Sequence, residues 1–341
     1  MTITMWVFLS AIISFVISAA TGKFLVPFLH KLKYGQTIRD EGPKWHQKKQ
    51  GTPTMGGIMI IISFVLVTAV CTFMLFNRGM GINFGDEYTF NSDKIHIYAG
   101  ICMALGYGLI GFIDDYIKVV KKRNLGLTAK QKLLLQFLVA AGYLEVLVLN
   151  GYTTQTIIPF VGTVDLGFAY YIISAIIIVG TTNATNLNDG VDGLCGSITF
   201  FGALIFMLIA TISGHSGVSV ECAALAGACL GFLVWNFNPA KVFMGDTGSL
   251  FLGGVMCAIA FATKMPVLLV LVGIAYYWDM ISVVLQVAYF KLTHGKRLFK
   301  MSPIHHHYEL CGWSEKKIVL VFSLVTVLSG AVAVALVYFG V

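Results

Sequence analysis

The chain has 341 residues, of which 57% are hydrophobic and 11% are charged, and its formal net charge is +7. Soluble domains carry about 25% charged residues, so this chain has too few polar side chains to cover its surface in water. The composition excludes a soluble globular protein. It indicates an all-α integral membrane protein, because the apolar runs are nearer to the ~20 residues of a membrane helix than to the ~10 of a barrel strand.

Apolar segments long enough to cross a bilayer recur along the whole chain. The first lacks a basic leader and a small-residue cleavage site, so we expect it to be retained. The seven cysteines are scattered without a Cys-x-x-Cys pair, which predicts buried thiols rather than disulfides or metal ligands. Ten transmembrane helices in one polytopic domain (1–341) are predicted, at about 5–29, 55–76, 95–117, 130–149, 169–186, 197–213, 220–236, 247–262, 266–291 and 315–338.

Basic residues are unevenly divided among the nine predicted loops. Most of the 23 Lys and Arg residues lie in or beside the odd-numbered loops. By the positive-inside rule these loops face the cytoplasm, which puts both termini outside. The net charge therefore follows from membrane orientation and suits anionic lipid headgroups or phosphates. It gives no sign of a nucleic-acid-binding arm.

Two adjacent carboxylates, Asp114 and Asp115, lie near the end of the third apolar segment, and Lys118 follows them. Ionisable side chains at the edge of a membrane helix are costly and usually mark a site that faces water, an ion or a substrate. On a helix Asp114 and Lys118 share a face, whereas Asp115 points about 100° away. One carboxylate is therefore expected to pair with Lys118 while the other stays free. A simple membrane-edge anchor is the alternative.

The stretch 151–167 lies between the fourth and fifth segments, in a loop predicted to be outside. Thr, Ile and Val alternate there around Pro159, which predicts a small extracytoplasmic β-hairpin. No function follows from this pattern.

The fifth apolar segment is short and runs into a polar stretch that contains Asn183, Asn186, Asp189 and Asp192. Its apolar part, 169–180, would cover only about 18 Å as a helix, well short of the ~30 Å hydrocarbon core. Polar groups must then enter the membrane, which is tolerated only where they line a wet cavity. The spacing of three residues would stack Asn186, Asp189 and Asp192 on one helical face. The pattern predicts one wall of a cleft, with a glycine-rich capping turn as the alternative.

Asp246 precedes a Thr-Gly-Ser sequence at the start of the eighth segment. Alone, this pattern is typical of a helix N-cap. A cap and a metal ligand are compatible, and a carboxylate close to Asp114 and Asp115 would complete an oxygen-only site. Magnesium suits one or two carboxylates together with substrate phosphates and water. No His and Cys set with zinc spacing competes, so we expect Asp246 to join the pair.

Two polar side chains, Asp279 and Gln286, interrupt the ninth apolar segment. A carboxylate in apolar surroundings either faces a site or satisfies a neighbouring tryptophan or backbone group. The sequence leaves both interpretations open for Asp279, and Gln286 is a comparable case.

The last cytoplasmic loop carries His305, His306 and His307 shortly after Pro303, a residue that argues against a helix at this point. Imidazole donors near a cation-rich rim suit phosphate oxygens. Metal chelation is the alternative, although three consecutive side chains cannot converge on one ion without strain. A transporter would place its charges near the middle of the membrane and show two related halves. Because the polar clusters lie at one rim, the pattern favours an enzyme over a transporter.

Five short motifs follow one another along the chain, each modest alone but specific in combination. They are Pro53-Thr-Met-Gly-Gly57, Asp114-Asp115-x-x-Lys118, Asn186-Leu-Asn-Asp189-Gly-Val-Asp192-Gly-Leu, Phe243-Met-Gly-Asp246-Thr-Gly-Ser and Pro303-Ile-His-His-His307. Over the whole chain this set resembles the phospho-N-acetylmuramoyl-pentapeptide transferase family, within the polyprenyl-phosphate N-acetylhexosamine-1-phosphate transferases (glycosyltransferase family 4). The triple histidine with the Glu309-Leu-x-Gly-Trp313 sequence favours this branch over its WecA-like relatives.

The resemblance implies transfer of phospho-MurNAc-pentapeptide from UDP-MurNAc-pentapeptide to undecaprenyl phosphate. The products are lipid I and UMP, formed at the cytoplasmic face of the plasma membrane during peptidoglycan synthesis. We expect Mg²⁺ as cofactor, held by Asp246 with Asp115 as second ligand, while Asp114 orients or deprotonates the lipid phosphate. Lys118 and Lys130 would neutralise phosphate charge, and the three histidines would contact phosphate or sugar.

The resemblance also implies a pocket for the nucleoside and sugar. A WecA-like enzyme that moves GlcNAc-1-phosphate from UDP-GlcNAc is the alternative function, and a homodimer is left open. In the expected pocket Phe243 stacks on uracil and Gln286 meets the uracil edge. Its remaining lining is expected to be Asn183, Asn186, Asp189, Asp192 and Asn236.

Overall fold

The computed structural model describes residues 2–32, 49–77, 87–120 and 126–341. Helices dominate, and the strands form one short hairpin, β1 (Gln155–Ile158) and β2 (Gly162–Asp165). A 3₁₀ turn at Pro266–Leu268 precedes the ninth helix. The helices are α1 (Ile3–Lys31), α2 (Gly57–Asn77), α3 (Glu87–Val120), α4 (Ala129–Leu149), α5 (Ala169–Asn188), α6 (Leu194–Ile212), α7 (Ser216–Asn236), α8 (Gly245–Ala262), α9 (Leu269–Val272), α10 (Ile274–Leu292), α11 (Ile304–Leu310) and α12 (Glu315–Gly340).

The helical membrane architecture predicted from composition is confirmed. Within the described ranges, eight helices are long and apolar enough to cross a membrane, and a bent pair adds a ninth candidate. That pair, Pro266–Val272 and Ile274–Leu292, bends by 82° at Gly273. The fifth predicted segment is a continuous helix, α5, but its polar second half keeps it outside this group of candidates. The count of ten therefore stays a prediction.

The hairpin predicted at 151–167 is confirmed, and it joins the ends of two helices. Its strands pair antiparallel with Thr156 opposite Val164. The Ile157 N–H donates to the carbonyl oxygen of Lys264, just after α8, at 2.9 Å. The Phe160 N–H donates to the carbonyl oxygen of Gly340, at the end of α12, also at 2.9 Å. The hairpin thus satisfies carbonyl groups that helix ends leave without partners.

Glycines bring α2 and α3 close to α8. A side-chain carbon added at Gly100 would lie 2.5 Å from Cβ of Ala258, and one at Gly111 would overlap the carbonyl oxygen of Asp246. Gly57 lies against Gly248 in the same way. Small residues let membrane helices approach closely, and van der Waals packing is the main attraction between helices in lipid. This packing holds the N-terminal end of α8 against the end of α3 that carries Asp114 and Asp115.

The cysteines follow the sequence prediction in part. All seven thiols are free, and five of them are buried. Cys102 and Cys311 are exposed instead, because Cys102 lies on the outward face of α3 and Cys311 lies in the turn after α11. Sequence alone could not tell the outward face of a membrane helix from its packed face, because both are apolar.

We expect Gly100→Ala to destabilise the protein by about 1–3 kcal/mol, the usual cost of inserting extra volume into a well-packed contact. The matched control is Gly180→Ala in α5, where an added carbon meets nothing within 4 Å. That change should be neutral or stabilise by up to about 1 kcal/mol, as glycine-to-alanine changes in helices do. Thermal unfolding of the detergent-purified variants measures both. Equal melting temperatures for the two variants would contradict the proposed α3–α8 contact.

Candidate active site

Three carboxylates from two helices meet at one end of the bundle. Asp114 and Asp115 lie near the end of α3, and Asp246 lies in the first turn of α8. One oxygen atom from each lies within 4.8 Å of the others, and among the described residues this is the one such group of three His, Cys, Asp or Glu side chains. The expectation that Asp246 joins the pair is confirmed.

Asp115 caps the N-terminus of α8, so the expectation that the carboxylate not paired with Lys118 stays free is wrong. Its Oδ1 accepts a hydrogen bond from the Asp246 N–H at 3.2 Å. Its Oδ2 accepts from the Thr247 N–H at 2.9 Å and from the Thr247 hydroxyl at 2.7 Å. The first backbone N–H groups of a helix have no partner within the helix, so a carboxylate there satisfies them and interacts favourably with the helix dipole.

The interpretation of Asp246 as the N-cap of its own helix is therefore wrong. The cap position is held by Met244, which makes no side-chain cap bond. Because Asp115 reaches these amides from the neighbouring helix, the Asp246 carboxylate is left to point into the cluster. A sequence pattern describes only local capping and carries no information on a cap supplied across a helix contact.

Two lysines neutralise part of the cluster. Lys118 Nζ lies 2.6 Å from Asp114 Oδ2, which confirms the predicted i,i+4 pair, and 3.0 Å from Asp246 Oδ2. Lys132 Nζ lies 2.9 Å from Asp246 Oδ2. The lysine predicted from the sequence to neutralise phosphate charge here was Lys130, not Lys132. The structure leaves Lys130 exposed, because two residues along a helix turn the side chain by about 200°.

The sequence did contain a signal for where α4 begins. Thr128 and Gln131 form a capping box, which fixes the start of α4 just before Lys130 and Lys132. Such a box marks where a helix begins. It does not say which face of the helix meets the site, so the choice between the two lysines needed the tertiary structure.

Asn186 connects α5 to the cluster. Its Nδ2 donates to Asp246 Oδ1 and to Ser249 Oγ, both at 2.8 Å, and its Oδ1 accepts from Lys132 at 3.3 Å. Asn183, about one turn earlier, donates instead to Gln136 Oε1 of α4 at 2.7 Å. The structure thus brings Asn186 to the carboxylates and turns Asn183 towards the contact between α4 and α5.

Asn186, Asp189 and Asp192 do not share one helical face as the sequence predicted. The reason is that α5 ends at Asn188, and Gly193 in the following turn has a φ of 79°, a left-handed conformation that glycine adopts without strain. Asp192 faces away from the cluster and accepts from Lys49 at 2.7 Å and from the Ala240 N–H at 3.0 Å.

Asp189 stays close to the cluster. Burial raises the pKa of this half-buried carboxyl well above its usual range, and the negative charges of Asp246 and Asp115 raise it further. A hydrogen bond from the Gly245 N–H acts in the opposite direction. Asp189 therefore keeps its proton to a higher pH than an ordinary aspartate does.

Asn236 and Gln286 mainly hold loops in place. Asn236 accepts from the Gly193 N–H at 3.0 Å and donates to the Val242 carbonyl at 2.9 Å. Gln286 Oε1 accepts from the N–H groups of Leu298 and Phe299 at 3.1 and 2.9 Å. Both side chains thus order the polypeptide around the site, and any contact of theirs with substrate stays a prediction.

Phe243 and the Pro53–Gly57 motif lie side by side. The Phe243 N–H donates to the Pro53 carbonyl, and the Phe243 carbonyl accepts from the Gly56 N–H, both at 2.8 Å. The Phe243 side chain is half-buried. Two motifs far apart in sequence therefore form one short backbone-paired segment next to the start of α8.

The three histidines lie on the short helix α11, which begins directly after Pro303, so the expectation that Pro303 argues against a helix here is wrong. Proline is tolerated at the start of a helix, where its missing N–H would have no partner in any case. His305 is fully buried, and its Nδ1 lies 2.9 Å from Asp279 Oδ2, which also accepts from Asn188 at 2.6 Å. His306 pairs with Glu309 at 2.6 Å, and His307 accepts from the Lys300 N–H at 3.1 Å. The rings have different partners, as expected for consecutive side chains that cannot share one ion.

Asp279 therefore orients His305, which answers the question that the sequence left open. The His305 Nε2 atom has no hydrogen-bond partner among the residues that the structure describes. A side-chain carbon at Gly190, in the turn after α5, would overlap this nitrogen. Only glycine at this position lets the turn lie against the imidazole, so the histidine helix and the Asp189–Asp192 turn form one continuous surface.

The chemistry of the cluster fits a hard divalent cation. Its three carboxylates carry three negative charges when ionised, and two lysine ammonium groups face them. Oxygen-only ligands suit magnesium, which is usually bound through one or two carboxylates together with phosphate oxygens and water. No sulfur or imidazole ligand belongs to this group of three, so a zinc site is not indicated.

Comparisons with known proteins agree with this site. The model of glycosyl transferase family 4 matches residues 97–264, and phospho-N-acetylmuramoyl-pentapeptide-transferase signature 1 matches residues 49–61. Two relatives named phospho-N-acetylmuramoyl-pentapeptide-transferase, from Bacillus cytotoxicus and Bacillus mycoides, are each 49% identical to the chain, over 311 and 313 residues respectively. Each alignment covers 91% of both proteins. The chain therefore belongs to the phospho-N-acetylmuramoyl-pentapeptide-transferase family.

Proposed function

We propose that this protein transfers phospho-MurNAc-pentapeptide from UDP-MurNAc-pentapeptide to undecaprenyl phosphate, forming lipid I and UMP. The observation that carries the proposal is the convergence of Asp114, Asp115 and Asp246 with two lysines at one end of a membrane bundle. Such a site suits a water-soluble nucleotide and a lipid whose phosphate stays at the interface. The names of the relatives favour this reaction over the transfer of GlcNAc-1-phosphate.

The proposed membrane arrangement has ten spans, with both termini outside and the cluster facing the cytoplasm. Eight candidate spans, the bent pair and α5 together would make ten. The bias of Lys and Arg towards the odd-numbered loops supports the orientation. In this arrangement the cluster lies at the inner surface and the hairpin lies outside.

The chain's own residues act mainly by neutralising charge and by alignment. The attacking group is the phosphate of the lipid, and a phosphate monoester with a second pKa near 6 is already mostly dianionic at pH 7. A strong general base is therefore unnecessary. Asp114, held by Lys118 at 2.6 Å, orients the lipid phosphate or accepts its remaining proton. Lys118 and Lys132 neutralise charge on the transferred phosphoryl group, as cations do in other phosphoryl transfers.

We assign the metal position to Asp246 and Asp115. Asp246 is the carboxylate that both lysines and Asn186 hold in place. From the described residues Asp115 Oδ1 accepts one hydrogen bond, at 3.2 Å, so an oxygen lone pair stays available beside the cap. A magnesium ion bound there would neutralise the diphosphate and polarise it towards attack.

The nucleoside and sugar are proposed to bind along the surface that runs from the cluster to α11. Asp189 lies next to the carboxylates, and the ring of Phe243 offers a face for uracil. His306 lies half-buried beside Gly190 and would donate to phosphate or sugar oxygens, whereas the fully buried His305 would support the turn from behind. Six further residues stay proposed contacts, although internal hydrogen bonds or exposure hold most of them away from the carboxylates. They are Asn183, Asp192, Asn236, Gln286, His307 and Lys130.

A radiolabelled transfer assay tests the proposed substrate. The purified protein, given undecaprenyl phosphate and Mg²⁺, should produce labelled lipid and UMP from UDP-MurNAc-pentapeptide and much less from UDP-GlcNAc. A preference for UDP-GlcNAc would instead support the WecA-like alternative. Solute counterflow in vesicles without release of UMP would contradict both proposed transferase activities.

Asp246→Asn should lower turnover by about 10²-fold or more, because it removes the carboxylate that both lysines hold and that would bind the metal beside the transferred phosphate. Saturating magnesium should not restore the rate if this side chain is a metal ligand. Asp165→Asn, in the distant hairpin, is the matched carboxylate-to-amide control and should behave like the wild type. Near-normal turnover of Asp246→Asn at saturating magnesium would show that the metal assignment is wrong.

The raised pKa of Asp189 predicts a pH-dependent stability difference. The folded protein keeps the Asp189 proton to a higher pH than the unfolded chain does, so this contribution to stability is lost as the pH rises from about 4 through the raised pKa. Asparagine has no proton to lose. The melting temperature of Asp189→Asn relative to the wild type should therefore increase between about pH 5 and about pH 8.

The control for this prediction is Asp165→Asn. Hydrogen bonds from the Thr154 hydroxyl and the Gly167 N–H lower the pKa of the exposed Asp165 carboxyl, so it is ionised throughout the same pH range in both states. Its melting-temperature difference from the wild type should stay constant. A melting-temperature difference that stays constant with pH for Asp189→Asn as well would contradict the half-buried position of Asp189 next to the charges of Asp246 and Asp115.

A further inference from the structure

An open groove lies between α3 and α4, in the half of the bundle away from the carboxylate cluster. It has a volume of about 760 Å³ and is lined mainly by apolar side chains, with Gly106 and Gly142 among them. A side-chain carbon added at Gly142 would meet nothing within 4 Å. The groove therefore passes directly over the backbone of α4, and no described part of the chain fills it at this point.

The groove ends where the two helices come together. Gly106 of α3 lies against Val139 of α4, where an added carbon would come within 3.0 Å of the valine. The next residue, Tyr107, donates its hydroxyl to the Gln136 carbonyl at 2.9 Å. From Gly106 to Lys94 at the opposite end, twelve residues of helix rise about 18 Å. That length is close to half of the ~30 Å hydrocarbon core.

The dimensions favour a lipid chain as the occupant. An acyl chain occupies one leaflet, which is the depth that the groove covers. The contact of Gly106 with Val139 closes the groove near the middle of the membrane, so a helix of a second copy that runs through both leaflets would fill it along only part of its length. An empty apolar groove at this depth would lose dispersion contacts along its walls, so lipid must cover it in the membrane.

The mouth of the groove selects the headgroup. Lys94 and Asn150 are exposed there, and no carboxylate is among the described side chains that line the groove. A lysine at the membrane surface attracts anionic lipids. We propose that the groove between α3 and α4 binds one acyl chain of an anionic phospholipid whose phosphate contacts Lys94. The proposal does not depend on the proposed activity, because the groove and the carboxylates lie at opposite ends of α3.

Cys102 provides a direct test in the wild-type protein. Its exposed thiol lines the groove, and the exposed thiol of Cys311, in the turn after α11, is an internal reference outside it. Detergent-purified protein is treated with N-ethylmaleimide in the presence of phosphatidylglycerol or of phosphatidylcholine with the same acyl chains. Phosphatidylglycerol should slow labelling of Cys102 by about tenfold, since a site filled nine-tenths of the time leaves about one-tenth of the thiols open. Labelling of Cys311 should not change.

Two pairs of variants test the charge of Lys94 and the shape of the groove separately. Lys94→Gln should weaken protection by phosphatidylglycerol by about fivefold and leave phosphatidylcholine unaffected, whereas Lys23→Gln on α1 should have no effect. Gly142→Leu fills the groove, so native mass spectrometry should find that it no longer retains phosphatidylglycerol. Ala141→Leu places the same side chain at an exposed neighbouring position outside the groove and should retain the lipid as the wild type does.

Three results would overturn the proposal. Equal protection of Cys102 by the two lipids would remove the role of the headgroup. Retention of phosphatidylglycerol by Gly142→Leu, shown to be folded by its unchanged melting temperature, would remove the role of the groove. Protection that rises with protein concentration and not with lipid would show that a second copy of the chain covers this face.

Discussion

The carboxylates of α3 close the N-termini of two neighbouring helices, one at each end of the bundle. Asp115 accepts from the N–H groups of Asp246 and Thr247 at the start of α8. Asp93, at the opposite end, accepts from the Gly217 N–H at the start of α7 at 3.1 Å and pairs with His215 at 2.6 Å. Unpaired backbone groups are costly in a membrane. The chain satisfies both helix starts with side chains from a single long helix.

This arrangement fixes the spacing of the bundle. The 22 residues from Asp93 to Asp115 rise about 33 Å along α3, close to the ~30 Å thickness of the hydrocarbon core. The glycine contacts of α3 with α8 then set how near the two helices lie. The capping contacts therefore set where α7 and α8 begin along the membrane normal. The glycines at the helix contacts set how close α3 and α8 lie side by side.

The capping by Asp115 also explains the chemistry at the cluster. Because the backbone amides of α8 are satisfied from α3, Asp246 is free to face Lys118, Lys132 and Asn186. Three helices thus converge on one carboxylate. A carboxylate with two ammonium groups and one amide donor beside it is rigidly placed before any substrate arrives, and this preorganisation is what phosphoryl transfer chiefly requires of a protein.

The amino-acid sequence by itself determined the class of protein, the helical architecture, the hairpin and the pairing of Asp114 with Lys118 in the candidate site. These follow from composition, from the length of apolar segments and from local spacing such as that of Asp114 and Lys118, all of which act between neighbours along the chain. The tertiary structure decided that Asp115 caps α8, that Lys132 rather than Lys130 reaches Asp246, that Asp192 turns away and that Asp279 holds His305. Each of these depends on which face of one helix meets another, and in a membrane protein apolar residues cover both the lipid-facing and the packed faces, so hydrophobic pattern cannot distinguish them.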